Sequence, residues 1–167
     1  MKSKNLVILE KEEDVSLISL NDKDSFNSLS EDLLKELLVA LNKADKDDST
    51  KVIILKGVGR GFSAGHNLKE IKGNENESFY KELMACSKKV MSILPKLNKP
   101  VIAEVHGVAT AAGCQLVAAC DLAYADTETK FATPGVNIGL FCHTPLVSVS
   151  RTIARKHSME MLLLGEM

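Results

Sequence analysis

Twice in this chain a short apolar strand runs straight into a turn of small residues. The first strand is Lys51-Val52-Ile53-Ile54-Leu55-Lys56-Gly57, and its turn is Phe62-Ser63-Ala64-Gly65-His66-Asn67-Leu68. The second is Pro100-Val101-Ile102-Ala103-Glu104-Val105, followed by Gly107-Val108-Ala109-Thr110-Ala111-Ala112-Gly113-Cys114. Continuous apolar runs of this length suit strands buried on both faces, which belong in a covered sheet. A helix that begins at such a turn exposes N–H groups with no intrahelical partner. Its dipole adds partial positive charge there. Gly and Ala let a ligand oxygen come close to the backbone. Two such turns can aim backbone N–H groups at one oxygen and so stabilise an enolate without a charged side chain. The same residues also suit plain tight packing of helix on strand. The turns alone leave both readings open.

At 167 residues the chain can bury one real core, so a single domain over 1–167 is expected. Hydrophobic residues make up 45%, a globular level. Lys and Arg number 21 against 22 acidic residues. That balance gives no electrostatic reason to expect nucleic acid or an anionic membrane as partner. With no Trp, stacking platforms for bases are scarce as well. Cys86, Cys114, Cys120 and Cys142 form no CxxC pair and no zinc spacing, so no metal is expected. Reduced thiols, early acidic residues at Glu10, Glu12, Glu13 and Asp14, and no apolar leader favour a soluble, cytoplasmic protein. No apolar run is long enough to cross a bilayer.

Residues 6–10 and 15–20 read as strands joined by a charged turn. Ser28-Leu29-Ser30-Glu31 is a capping-box pattern, and Leu33, Leu34, Leu37, Leu38 and Leu41 then share one helix face to about residue 44. A polar stretch at 72–77 separates a short helix from a longer one at 78–94. Pro95 and Pro100 bracket the next strand. A helix near 111–119, strands near 121–125 and 130–131, and helices near 146–154 and 158–164 complete the order. Strands alternating with helices argue for an α/β fold with mostly parallel pairing, and pattern alone leaves several topologies open.

The turn residues with Lys69 and Glu70 resemble the first signature of the crotonase superfamily, the enoyl-CoA hydratase/isomerase family. Lys99 to Gly107, then Ala111-Ala112-Gly113-Cys114-Gln115-Leu116, looks like its second signature. Cys120 to Ala125 and Phe131 to Leu140 continue in register, so the likeness runs from about residue 6 to the end. The runs Ala109–Leu116, Ala132–Asn137 and Gly139–Cys142 point to one subgroup within it. The resemblance implies a crotonase-like spiral of β-β-α units. It implies acyl-CoA thioesters as ligands in fatty acid metabolism, with coenzyme A as part of the substrate and no permanently bound cofactor. It also implies a homo-oligomer, a trimer or hexamer. The family normally continues past Gly165-Glu166-Met167 into helices that cover the acyl pocket and build the trimer interface. Without them the fold reads as truncated, with apolar surface exposed and the assembly altered.

Carried over by position, the N–H groups of His66 and Ala112 look like the two oxyanion donors. Ala64, Leu68 and Lys69 match the surface for the adenine and pantetheine of CoA, and Asn67 stands where an Asp is usual. Lys69 suits a solvated helix position equally well. The two glutamates of a hydratase are replaced by Gln115 and Gly135. Hydration needs a base for water and an acid for the α-carbon, and such catalysis contributes on the order of 10²–10⁴-fold. Gln cannot exchange a proton near neutral pH, so ordinary hydratase activity is expected to be weak or absent. His66, His143 and Cys114 are the side chains that could substitute, though each also suits ordinary packing or surface roles. Decarboxylation of a malonyl-type thioester needs no base, and His66 or Gln115 could hold the carboxylate. Isomerisation needs a proton shuttle, for which His143 is the candidate. Two readings follow: a lyase or isomerase acting on CoA thioesters, or a non-catalytic acyl-CoA-binding protein.

Overall fold

The computed structural model describes residues 5–167. Strand β1 (Val7–Glu12) turns at Glu13 into β2 (Val15–Leu20), antiparallel to it. From there every pairing in the main sheet is parallel. β3 (Val52–Gly57) pairs with β2, β4 (Val101–Val105) with β3, and β6 (Leu122–Ala125) with β4. The sheet order is β1-β2-β3-β4-β6. A second, two-stranded parallel sheet joins β5 (Val108–Thr110) to β7 (Lys130–Ala132).

The helices are α1 (Glu31–Lys46), α2 (Leu68–Lys72), α3 (Glu77–Ile93), α4 (Ala112–Ala119), α5 (His143–Thr152) and α6 (Arg155–Leu164). On α1 the spacing of Leu33, Leu34, Leu37, Ala40, Leu41 and Ala44 puts all six on one buried stripe. They meet Ile18, Leu20, Ile53, Leu55, Val101, Ala103 and Val105 of the main sheet. Burying each such large aliphatic side chain contributes roughly 1.5–3 kcal/mol. Leu83, Val90 and Met91 of α3 close the same core beside α1.

A repeated path is visible. From β2 onward, each strand of the main sheet is followed by a short paired segment outside that sheet, then by a helix. β4, β5 and α4 make one such unit, and β6, β7 and α5 make another. β3 passes through a bridge between Ser63 and Ala109 on its way to α3, and β2 passes through a bridge between Leu29 and His66 on its way to α1. This is the expected spiral of β-β-α units.

Two local expectations need correcting. The start of α1 is capped by Ser30, whose hydroxyl accepts from the Leu33 N–H at 3.2 Å, and not by Ser28. The reason is the bridge to the next coil: the Leu29 N–H donates to the Gly65 carbonyl at 2.8 Å, which keeps residues 28–29 extended. Residues 108–110, read above as part of a turn, form β5 because β7 offers them a parallel ladder.

Candidate active site

Ser63 lies at the crossing of two coils of the chain. Its N–H donates to the Val108 carbonyl at 3.1 Å, and its carbonyl accepts from the Thr110 N–H at 2.9 Å. Its hydroxyl donates to the Asn27 carbonyl at 2.9 Å. The Ala64 N–H donates to the Phe26 carbonyl at 2.9 Å, and the Thr110 hydroxyl donates to the Ala64 carbonyl at 3.0 Å. The first turn is thereby fixed on both sides. Asn27, fully buried, adds a clamp through its side-chain amide, which donates to the carbonyls of Val58 and Gly61 at 2.9 Å each.

The two small-residue turns touch backbone to backbone. A Cβ on Gly65 would lie 2.9 Å from both the Ala111 Cβ and the Thr110 carbonyl, and 3.1 Å from the Ala112 nitrogen. A Cβ on Gly113 would lie 2.3 Å from the Ser63 carbonyl. Gly65 has φ +85°, which suits glycine. Ala111 has φ 50° and ψ −119°, which does not suit an alanine. Its N–H is held by the Ala132 carbonyl at 2.8 Å. The main-chain N–H groups of His66 and Ala112 donate to no protein acceptor among the described residues.

The surrounding side chains are mostly neutral. Gln115 is only 5% exposed, three residues into α4 from Ala112 and therefore on the same helix face. Its Oε1 is fully buried without a partner. Gly135 is buried, and the space where its side chain would begin is filled: a Cβ would sit 2.2 Å from the Leu140 carbonyl and 2.8 Å from the Cys142 Sγ. The His66 ring lies with Nδ1 3.4 Å from the Leu29 carbonyl and Nε2 3.5 Å from the Ser87 hydroxyl of α3. Burial holds its pKa below the ordinary 6.5, against a smaller opposing pull from the Leu29 carbonyl. Cys114 contacts the Met161 sulfur at 3.9 Å, and burial pushes its thiol up to about 12, so it is no thiolate.

The other residues chosen from sequence lie further out. His143 is exposed at the first turn of α5, with its ring edge-on to Phe141 at 5.4 Å. Ala64, Leu68 and Lys69 are exposed around the start of α2. Asn67 caps that helix, its Oδ1 accepting from the N–H groups of Lys69 and Glu70 at 3.1 and 3.2 Å. Sequence reasoning missed Asn27, Ser87, Leu140 and Cys142. Each reaches the site through tertiary packing, and no local pattern announces it.

The His66 shift has a measurable consequence. The unfolded ring takes up a proton near pH 6.5, and the folded ring resists it to lower pH. Stability is then fully present above the unfolded value and falls as pH drops through the folded one. Urea midpoints followed by circular dichroism between about pH 8 and pH 5 should fall on the acid side. His66→Gln should flatten that fall; an unchanged acid limb in the variant assigns it to other groups.

The enoyl-CoA hydratase/isomerase family model matches residues 10–167. The Xenopus laevis protein named Enoyl-CoA hydratase domain-containing protein 3, mitochondrial, is 44% identical over 161 residues, covering 96% of this chain and 55% of that protein. The crystal structure of a Mycobacterium smegmatis enoyl-CoA hydratase superposes with a TM-score of 0.93 at 44% identity, covering 98% of this chain and 64% of that one. The human enoyl-CoA hydratase domain-containing protein 3 superposes at 0.92 with 41% identity, covering 96% and 64%. The chain spans about half the length of the curated relatives it matches. Fold, signature turns and relatives agree, and the chain belongs to the enoyl-CoA hydratase/isomerase family of the crotonase superfamily.

Proposed function

We propose that this chain binds acyl-CoA thioesters and holds the thioester oxygen with the main-chain N–H groups of His66 and Ala112. One observation carries the reading: the two turns meet at Gly65 and Ala111–Ala112, and both amides are left without a protein acceptor among the described residues. Fixed backbone donors of this kind need no reorganisation as charge develops on oxygen. Ala64, Leu68 and Lys69 offer an exposed surface beside the turn for the adenine and pantetheine of CoA. Asn67 serves that surface by starting α2 rather than by touching ligand. Coenzyme A enters as part of the substrate, and the setting is fatty acid metabolism. Exposed Leu122, Tyr124, Val147 and Leu163 favour a homo-oligomer.

The reaction belongs to the lyase or isomerase type on thioesters, without ordinary hydration. Gln115 and Gly135 supply neither acid nor base. His143, exposed beside Phe141, is the one candidate for proton shuttling that solvent reaches freely. A second reading, acyl-CoA binding without turnover, is favoured by the lack of any Asp, Glu, Lys or Arg among the buried residues described.

Calorimetry with butyryl-CoA should give saturable heat. Crotonyl-CoA should lose its enoyl absorbance at least about 100-fold more slowly than with a two-carboxylate hydratase. Absence of heat at millimolar ligand defeats both readings; fast hydration defeats the roles given to Gln115 and Gly135.

A further inference from the structure

Resting on the homo-oligomer reading above, we infer that two copies of this chain pair edge to edge, antiparallel, through β6. Among the described residues β6 ends the main sheet and pairs there with β4 alone. All four of its residues are exposed, Leu122 at 52% and Tyr124 at 67%. An edge strand offers a row of free N–H and C=O groups to any chain that can lie beside it. Charged residues or prolines commonly guard such an edge, and Leu122-Ala123-Tyr124-Ala125 contains neither. The opposite edge, β1, is guarded. It carries Glu10, Lys11 and Glu12, and the Glu36 carboxylate takes the Val7 N–H at 2.9 Å.

The backbone bonds fix which groups of β6 are free. Val105 and Ala125 are register partners, and the Asp126 N–H donates to the Val105 carbonyl at 3.0 Å. Backbone direction alternates along a strand. Leu122 and Tyr124 therefore turn their N–H and C=O groups to β4, and Ala123 and Ala125 turn theirs outward. A twofold axis through Ala123 sets that residue opposite its own copy and Ala125 opposite the partner's Asp121. Four N–H···O=C bonds follow: two between the facing Ala123 residues, and one from each Ala125 N–H to the facing Asp121 carbonyl. The Asp121 N–H is already given to the Val101 carbonyl at 2.9 Å. Leu122 then lies opposite the partner's Tyr124 in a non-hydrogen-bonded pair, where side chains approach most closely. The same register keeps acids apart, since Asp121 faces Ala125 and Asp126 faces Cys120. Moving the axis to 124 would set Leu122 against Asp126.

The apolar area is large enough for a stable pair. Among the described residues, ten of the fourteen exposed large apolar side chains fall between Leu122 and Met167. They lie on β6 and on the stretch from 138 onward, and the two meet where Leu122, Val149 and Ile153 rim one apolar hollow of about 380 Å³. At roughly 150–200 Å² for a fully exposed side chain of this size, their open area is on the order of 900 Å², beside about 800 Å² per partner in a standard interface. The partner's Tyr124, set against Leu122, covers the mouth of that hollow. Tyrosine suits the place, with its ring on apolar surface and its hydroxyl in water. Pairing of this kind joins two five-stranded sheets into one continuous sheet.

Sedimentation velocity at micromolar protein should give a species of twice the chain mass. Leu122→Lys combined with Tyr124→Lys sets lysines against lysines across the axis. It should raise the dimer dissociation constant at least about 30-fold, the scale of a lost interface hot spot. Both side chains are exposed, so the circular dichroism spectrum and the butyryl-CoA heat should match the parent. Mixing Leu122→Cys protein with Tyr124→Cys protein in oxidised glutathione should give a disulfide-linked pair. Facing residues of a non-hydrogen-bonded pair have Cα atoms about 4.5 Å apart, within disulfide range. Either variant oxidised alone should link no more than the parent does. A dimer untouched by the lysines, or equal linking in the unmixed variants, overturns this inference and leaves the homo-oligomer reading standing. A monomer at micromolar protein overturns both, and butyryl-CoA calorimetry on the same preparation reports separately on acyl-thioester binding.

Discussion

Gly113→Ala is expected to lower the free energy of unfolding by about 3 kcal/mol and to abolish butyryl-CoA binding. The sign is the informative part. In an ordinary helix, alanine is better than glycine by about 1 kcal/mol. Here the added carbon meets the Ser63 carbonyl at 2.3 Å. That carbonyl cannot retreat easily, because it accepts from the Thr110 N–H at 2.9 Å and its residue is tied to Val108 as well. The clash therefore pushes α4 away from the first turn and separates the amides of His66 and Ala112. Gly139→Ala is the natural comparison. Gly139 has φ +76° but open space around it, so only conformational strain of about 1 kcal/mol is expected. Urea melts followed by circular dichroism, with calorimetry on each folded variant, separate the two. Equal stability of Gly113→Ala and the parent would falsify the close contact of the two turns.

Placing glutamates at 115 and 135, where the family resemblance implies a hydratase's acid and base, is expected to fail. Gly135→Glu should destabilise the protein by about 3 kcal/mol, because its first side-chain carbon meets the Leu140 carbonyl at 2.2 Å and the Cys142 sulfur at 2.8 Å. The loop is tied at that point, since the Leu140 N–H donates to the Gly135 carbonyl at 2.9 Å. Gln115→Glu restores one carboxylate in a position already shaped for a carboxamide. The double variant should hydrate crotonyl-CoA no more than about tenfold faster than the parent, well short of the 10²–10⁴-fold that acid–base pairs contribute. A gain beyond that, with an unchanged melting temperature, would mean that the loop 135–142 yields easily.

Much of this was legible beforehand where local chemistry decides. Four of the five leucines read on α1 lie on its buried face, with Leu38 half-buried at its edge, and the polar stretch at 72–77 marks the break between α2 and α3. The boundaries of α3 and α4 were met within about two residues, as fraying helix ends allow. What failed was decided by distant partners. Ser28 carries the capping pattern, yet the Gly65 carbonyl claims the next N–H and moves the cap to Ser30. β5 is too short to read alone and exists through β7. At the site, the resemblance put Gln115 and Gly135 where a hydratase of the family would carry glutamates. It could not say that the empty place at Gly135 is filled from Leu140 and Cys142, because that contact links two ends of a loop. Nor could it orient His66, whose ring faces Leu29 across the bridge before α1 and Ser87 of α3.

Ala111 is an L-residue at φ 50° and ψ −119°, outside the ordinary regions. Such a conformation stores roughly 1–3 kcal/mol. Relaxing it would rotate the peptide plane between 111 and 112 and swing the amide hydrogen at 112 off its heading. Two restraints oppose that rotation: the Ala132 carbonyl on the Ala111 N–H, and the wall at Gly65. The bond to Ala132 makes β7 a latch. A substitution anywhere along residues 130–132 can therefore release the spring and turn the amide at 112 from a distance, with every residue of the two turns unchanged.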